Sequence, residues 1–310
     1  MATLKEIKTR IASVKNTLKI TSAMKMVASA KLHKAQTAIG NNIPYTAQLY
    51  RILGGLLQDD DLQAAMHDEL GFGSNNPVVL QDVASDELPL KKDADRVALV
   101  VFSSNSSLCG SFNANVIKRF ENTLDQMWEC GYSPEDIDIY AVGRKVAEAA
   151  RRKGLELAAD LSEMADKPDY YSAAELSEAL VRDFIEGEVS YVILLYSHFV
   201  SMGSQPVIRE NYLPLSLHSP QQNEEPTDYI LEPTPLELVK SLLPKVLKLK
   251  IYTVMLDASA AEHAARTVAM QVASDNAQNL IGELTLAYNK GRQQAITAEL
   301  LDIVGGSLNN

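Results

Sequence analysis

The sequence predicts an α/β protein in which the two chain termini form a long antiparallel two-helix coiled coil and a mainly parallel α/β domain is inserted between them. Three observations support this fold class. Apolar residues near the N-terminus recur at alternating spacings of three and four, no proline follows Pro244, and strand-like runs alternate with helix-like segments in the middle of the chain.

The first 57 residues are predicted to form one long helix. The apolar seam of a coiled coil runs through its first half. The seam consists of Leu4, Ile7, Ile11, Val14, Leu18 and Thr21. Gly40 and Pro44 are expected to kink the helix farther along, because proline lacks a backbone donor and crowds the preceding turn.

Residues 58–96 differ in character, since they carry ten acidic residues against three basic ones. This composition, with a break around the glycines of 71–77, predicts an acidic linker or insertion between the first helix and the domain that follows.

Residues 97–216 are predicted to form a Rossmann-like, mainly parallel α/β domain. Buried-strand runs at Val97–Phe102, Ile137–Val142 and 190–199 alternate with segments of helical periodicity. Strands that alternate with helices in this way form parallel sheets, because each crossover helix returns the chain to the same edge.

The second coiled-coil helix is predicted over residues 235–305, after a proline-interrupted linker at 217–234. Alanine recurs densely along this helix, which allows a partner helix to approach closely. The glycine pair at 305–306 is expected to end it.

Charge is distributed unevenly along the chain. The formal net charge is -11, yet the first 36 residues carry eight basic residues and only one acidic residue. This contrast predicts an anionic partner for the first helix, whether acidic protein loops, nucleic acid or lipid headgroups. An ordinary solvated helix face is the alternative interpretation.

The residue pattern contains no catalytic constellation. Cys109 and Cys130 lie outside any metal or redox spacing, and the five histidines do not pair at ligand spacing. The loop after the first long strand has neither G-x-G-x-x-G nor a P-loop pattern, so no nucleotide, cofactor or metal is expected. The longest apolar runs fall far short of the ~20 residues that span a bilayer.

Both ends of the chain resemble the gamma-subunit family of F-type ATP synthases. Residues 11–31 resemble the family's N-terminal helix, and residues 265–276 and 283–300 resemble its C-terminal helix.

The loop after the first long strand carries a third resemblance to this family. Leu108, Cys109 and Gly110, with Asn113, match its first βα loop. The family's usual Asp-Arg/Lys-Gly before this motif is replaced here by residues 105–107, which read Asn-Ser-Ser.

The resemblance implies a non-catalytic rotor subunit of the central stalk, which couples proton-driven rotation to ATP synthesis or hydrolysis at beta-subunit sites. The implied partners are the alpha and beta subunits, the epsilon subunit and the membrane c-ring. No nucleic acid and no direct membrane insertion are implied. The implied location is peripheral, on the cytoplasmic side of a bacterial inner membrane.

The resemblance also assigns contact residues. Met24 and Lys25 correspond to the point where the shaft passes the mouth of the alpha–beta ring. Arg292, Gln293 and Thr297 match a C-terminal cluster that contacts beta-subunit loops, and their spacings of one, four and five place them on one helix flank. The terminal stretch at 298–308 is apolar and suits a bearing tip. An ordinary coiled-coil seam is the alternative, because Ile296, Leu300 and Ile303 lie at core spacing.

The resemblance further implies that Tyr229 and Glu232 belong to a foot that touches the membrane ring.

Two alternatives to the rotor remain at this point: a coiled-coil structural protein associated with nucleic acid, and a small α/β enzyme with helical arms. Salt-dependent DNA affinity would favour the former, and turnover or tight binding of a nucleotide by the chain alone would favour the latter.

Overall fold

The computed structural model describes residues 3–56, 78–79, 96–216 and 232–307. Its elements follow the predicted order of helix, α/β domain and helix. In chain order they are α1 (Leu4–Leu56), β1 (Val78–Val79), β2 (Val97–Phe102), α2 (Phe112–Glu129), β3 (Ile137–Val142), α3 (Arg144–Arg152), β4 (Ala159–Asp160), α4 (Ser162–Asp166), α5 (Tyr170–Ile185), β5 (Tyr191–Ser197), β6 (Val207–Leu213), β7 (Leu215–Ser216) and α6 (Pro235–Ser307). The predicted class, mixed α/β with long terminal helices, is confirmed.

The two long helices differ from prediction in detail. Helix α1 continues through Gly40 and Pro44 as a single element. Helix α6 continues through the glycine pair at 305–306 to Ser307, so the prediction that these glycines end it was wrong. A glycine ends a helix by adopting a left-handed conformation, and neither of these two has a positive φ.

Most of the predicted acidic linker at 58–96 and most of the predicted linker at 217–234 lie outside the described residues. Within residues 58–96 the structure describes strand β1, whose two residues pair in parallel with β7.

A five-stranded sheet forms the centre of the α/β domain, with strand order β4-β3-β2-β5-β6. Strands β2, β3, β4 and β5 are parallel to their neighbours, and β6 runs antiparallel to β5 at the edge. All six residues of β2 are buried, because helices cover both faces of the sheet.

Alternate residues of β2 enter two different hydrophobic cores. Val97, Leu99 and Val101 pack with α2 and α3 on one face. Ala98, Val100 and Phe102 pack with α5 and with parts of α1 and α6 on the other face. The domain is thus built as three layers, with the long helices supplying much of one outer layer.

The chain divides into two compact units. Unit 1 comprises residues 1–30 and 266–310, and unit 2 comprises residues 31–265. The inner halves of both long helices therefore cluster with the sheet, and their outer halves form a unit of their own.

Within unit 2 the inner halves of α1 and α6 pack closely through small side chains. Leu32 and Ala35 of α1 are buried against Ala260 and Ala264 of α6. The dense alanines of α6 therefore do allow the close approach that the sequence predicts.

Strand β6 attaches α6 to the sheet through polar contacts inside unit 2. The buried Tyr212 hydroxyl shares a 2.7 Å hydrogen bond with the Ser177 hydroxyl and donates to the Leu247 carbonyl at 3.1 Å. Glu210 accepts hydrogen bonds from Tyr196 and from Lys250 on α6. These contacts fix the position of α6 on the sheet.

Candidate functional site

Unit 1 is an antiparallel pair made of the outer halves of α1 and α6. The Thr21 hydroxyl lies 2.8 Å from that of Ser274, and both residues are buried. Seventeen residues farther out along each helix, Leu4 faces Gly291, where an added methyl group would lie 3.1 Å from Leu4 Cδ2. The coiled coil predicted from the N-terminal seam is therefore present.

The predicted C-terminal contact cluster lies just past the point where Leu4 faces Gly291. Arg292, Gln293 and Thr297 are all exposed. Thr297 Oγ1 donates to the Gln293 carbonyl at 2.9 Å, which is a local bond within the helix. Among the residues whose side chains the structure describes, neither the guanidinium of Arg292 nor the side-chain amide of Gln293 makes a hydrogen bond, so both are accessible on this flank.

The apolar residues around this flank are exposed as well. Ile296, Leu300 and Leu301 keep 48%, 57% and 66% of their surface accessible, and every residue from Arg292 to Leu301 is exposed. An intramolecular coiled-coil seam would bury Ile296 and Leu300, so that interpretation of their spacing was wrong for this chain taken alone. Exposed apolar side chains on a helix are typical of a surface that packs on another protein.

Met24 and Lys25 occupy a separate position on unit 1. Both are partly buried, and Lys25 donates a hydrogen bond to Gln271 on α6. Gln271 precedes Arg292 by 21 residues, which corresponds to about 30 Å along a helix. The predicted ring-contact residues thus form two surfaces on one rod, and the structure does not bring them together.

The predicted foot is only partly described. Tyr229 lies outside the described residues. Glu232 is exposed and precedes the first turn of α6. The contact of Glu232 with a membrane ring stays a prediction.

The loop between β2 and α2 is organised by side-chain amides. Asn105 donates to the Ser162 carbonyl at 2.7 Å and accepts from the Arg144 backbone N–H at 2.9 Å. Asn113 donates to the Ser104 hydroxyl at 2.8 Å. Sequence reasoning missed the structural role of Asn105, although its place three residues after the end of a buried strand was a signal that it would lie at the carboxyl edge of the sheet.

Two tight backbone features hold this loop. Leu108 has a φ of 68°, and its side chain is 58% exposed. Gly143, which follows β3, has a φ of 119°, and a Cβ there would lie 2.2 Å from the Ser103 carbonyl oxygen. Only glycine fits at position 143, because the loop approaches β3 so closely.

The crevice where a doubly wound sheet ordinarily binds a nucleotide is filled by the protein itself. Phe102 and Ser103 at the end of β2 face Met255 and Ala258 of α6 across a cavity of about 20 Å³. Such a volume holds about one water molecule, whereas ligand pockets typically measure about 300–1,000 Å³. Helix α6 thus occupies the usual ligand crevice of this fold.

No group of three or more metal-ligating side chains occurs in the part of the chain that the structure describes. Within those same residues no helix combines the length and the apolar character needed to cross a bilayer. Cys109 is buried and Cys130 partly so, and neither is in a disulfide.

A family model described as ATP synthase matches residues 3–308 of this chain. An ATP synthase gamma chain of Phocaeicola vulgatus is 50% identical over 311 residues, covering 99% of this chain and all of the relative. An ATP synthase gamma chain of Christiangramia forsetii is 36% identical over 307 residues, covering 99% of this chain and 98% of the relative.

The fold is similar to solved structures of rotary complexes. A chain in the OSCP/F1/c-ring structure of the Euglena gracilis mitochondrial ATP synthase aligns with a TM-score of 0.60 at 18% identity, covering 99% of this chain and 94% of that one. A chain from the central stalk/c-ring structure of the Tetrahymena thermophila mitochondrial enzyme aligns with a TM-score of 0.55 at 19% identity, covering 82% and 99%.

Proposed function

This chain belongs to the gamma-chain family of ATP synthases, and on that premise we propose that it is the central rotor subunit of an F-type ATP synthase, coupling proton-driven rotation to ATP synthesis or hydrolysis at beta-subunit sites. The observation that carries the proposal is the 50% identity to a gamma chain along 99% of this chain. The alternative of a nucleic-acid-associated coiled coil receives no support from the relatives.

The partners of this rotor are the alpha and beta subunits, the epsilon subunit and the membrane c-ring. The relatives named as gamma chains are bacterial, so the subunit works peripherally on the cytoplasmic side of an inner membrane. Glu232 and Tyr229 contribute to the foot that rests on the c-ring.

The exposed end of α6 supplies the first contact with the ring. Arg292, Gln293 and Thr297 offer a cation, an amide and a hydroxyl to beta-subunit loops on one flank. Ile296 and Leu300, which are exposed in the chain alone, become covered by the ring. Apolar contacts have little directional preference, which suits a surface that turns against its neighbour.

Met24 and Lys25 supply the second contact, nearer the mouth of the ring. Three chemically identical beta-subunit pockets can differ in nucleotide affinity only when an asymmetric body contacts each differently, since a shift in equilibrium requires differential interaction. Each ~1.4 kcal/mol of difference changes affinity tenfold. Exposed ion pairs are individually weak, so they break readily at each step.

The subunit itself is non-catalytic. Its chemistry lies in the beta subunits, and its own nucleotide crevice is filled by α6. Rotation rather than bond making is therefore its contribution to the reaction.

Affinity purification from the native host tests the proposal. We expect alpha and beta ATPase subunits to co-elute with a tagged chain, and we expect a strain that lacks the chain to lose coupled ATP synthesis until the chain is restored. Recovery of the tagged chain without either subunit would contradict the proposal.

A further inference from the structure

Lys25 is held across the coiled coil of unit 1 by a neutral side chain. Its Nζ donates a hydrogen bond to Oε1 of Gln271 on α6. Gln271 Nε2 in turn donates to Oδ1 of Asp275 at 2.8 Å. Among the residues that the structure describes, Lys25 forms no ion pair with a carboxylate.

The order of these three side chains fixes the orientation of the amide between them. An ammonium group can only donate and a carboxylate can only accept, so Gln271 must turn its oxygen to Lys25 and its nitrogen to Asp275. Asp275 thereby orients Gln271, and Gln271 holds the ammonium. Because the direct partner of Lys25 is an amide, its positive charge is fixed in place but not neutralised.

A second polar pair lies one helical turn away and keeps the two helices in register at this point. Thr21 precedes Lys25 by four residues, and Ser274 follows Gln271 by three. Their hydroxyls lie 2.8 Å apart in a buried position. A heptad slip in either direction would place Ser274 against Val14 or Ala28, so the pairing favours the observed register.

We propose that Gln271 and Asp275 are positioning residues, which present the uncompensated Lys25 ammonium to a carboxylate of a partner subunit. An ammonium has three N–H donors, so Lys25 can retain Gln271 while it binds a carboxylate from outside. The identity of that partner rests on the proposed function, whereas the positioning of Lys25 rests on the geometry of unit 1 alone.

The positioning is tested on the purified full chain by the rate at which an amine-acylating reagent modifies Lys25, followed by mass spectrometry. Gln271→Ala removes the acceptor and frees the amine, so we expect acylation to become about two- to fivefold faster. Gln271→Glu places a carboxylate beside the ammonium and favours its unreactive protonated form, so we expect acylation to become slower by a similar factor.

Gln278→Glu is the matched control. Gln278 is exposed on the same helix, seven residues from Gln271, and the substitution adds the same charge. We expect it to leave the acylation rate of Lys25 unchanged. Equal rates in wild type, Gln271→Ala and Gln271→Glu would overturn the proposal.

The presentation to a partner is tested in the assembled ATP synthase. We expect Gln271→Glu to lower ATP synthesis about two- to fivefold at low salt, because the new carboxylate competes for the Lys25 ammonium. The loss of synthesis relative to the wild type should shrink at high salt, because salt also screens the contact between Lys25 and the partner's carboxylate in the wild type. Gln278→Glu should match the wild type at both salt concentrations.

The two measurements separate the two claims. Changed acylation with unchanged synthesis would overturn the presentation of Lys25 to a partner and leave its positioning by Gln271 intact. A chain that never assembles with alpha and beta subunits would refute the proposed function, while the acylation rates would still decide the positioning.

Discussion

At the scale of single residues, the exposed flank of Arg292, Gln293 and Thr297 contrasts with buried side chains such as Tyr212. The flank residues are exposed, and under the proposed function they contact another subunit. Tyr212 is fully buried and hydrogen bonded, so its value lies in the stability of the fold. Substitutions at the two places should therefore fail in different assays.

Replacement of Arg292, Gln293 and Thr297 together by alanine should lower coupled ATP synthesis without unfolding the chain. Exposed substitutions usually change stability by less than about 0.5 kcal/mol each, so the thermal transition should move little. Synthesis in the assembled complex and circular dichroism of the purified chain are the two measurements. Gln294→Ala, an exposed neighbour, is the control, and full synthesis by the triple variant would contradict the assignment of this flank.

Tyr212→Phe should destabilise the chain most near neutral pH. The substitution leaves the Ser177 hydroxyl and the Leu247 carbonyl without their partner, at a cost of about 1–3 kcal/mol. Burial raises the pKa of Tyr212 above its ordinary value, and this outweighs the opposing effect of the Ser177 hydrogen bond. Above about pH 10 the unfolded tyrosine loses its proton before the folded one, so the wild type loses stability by about 1.4 kcal/mol per pH unit through this group.

The difference in the free energy of unfolding between the wild type and Tyr212→Phe should therefore narrow as pH rises through about 10. Only the wild type loses stability there through this position, because phenylalanine has no proton to lose. Denaturant unfolding at about pH 8, 10 and 11 measures it. Tyr45→Phe is the control, because Tyr45 is exposed. A constant difference between pH 8 and 11 would show that Tyr212 ionises equally in both states.

At the scale of elements, the outer helix pair differs from an ordinary apolar coiled coil. The Thr21–Ser274 hydroxyl pair and the adjacent Lys25–Gln271 bond place polar contacts where a simple heptad pattern would place aliphatic side chains. Such pairs cost stability relative to a packed apolar seam, and they specify register.

Thr21→Val and Ser274→Ala should each lower the free energy of unfolding of unit 1. The double variant should lose less stability than the sum of the two single losses. Either single change leaves one buried hydroxyl without its partner, at about 1–3 kcal/mol, whereas the double change removes both hydroxyls and can be nearly neutral. Denaturant unfolding of the four chains of a double-mutant cycle gives the coupling. If the two single losses of stability simply added up in the double variant, the hydrogen bond between the two hydroxyls would contribute little to stability.

At the scale of the whole molecule, one helix serves two purposes. Residues 235–265 of α6 complete a core layer and fill the crevice at the carboxyl edge of the sheet. Residues 266–301 of the same helix pair with α1 and end in the exposed flank.

The purified chain alone should neither bind ATP tightly nor hydrolyse it, because the cavity at the carboxyl end of β2, where this fold ordinarily binds nucleotides, measures about 20 Å³ and cannot admit one. Isothermal titration and a phosphate-release assay measure the two properties. The chain should also show no steep salt-dependent affinity for DNA between about 50 and 200 mM salt. Tight binding of either ligand would favour one of the alternatives to the rotor.

Much of the architecture could be predicted from local patterns. The strand runs at Val97–Phe102 and Ile137–Val142 were placed to the residue. The first is apolar throughout, as a fully buried strand must be, and the second alternates buried apolar residues with the half-buried Asp138 and Tyr140. The N-terminal seam predicted a coiled coil because apolar residues at alternating spacings of three and four form a stripe along one side of a helix, on which another helix can pack. The family followed from residues at both ends of the chain.

Other features depend on which surfaces meet in three dimensions, and a single sequence does not encode these locally. Ile296 and Leu300 have core spacing, yet they are exposed because Leu4 already faces Gly291 and α1 begins there. The partner of Lys25 lies 246 positions away, at Gln271. The sequence alone determined the periods, the charges and the family, whereas the tertiary structure decided the register, the burial and the filled crevice, because each of these is set by contacts between residues far apart in the chain.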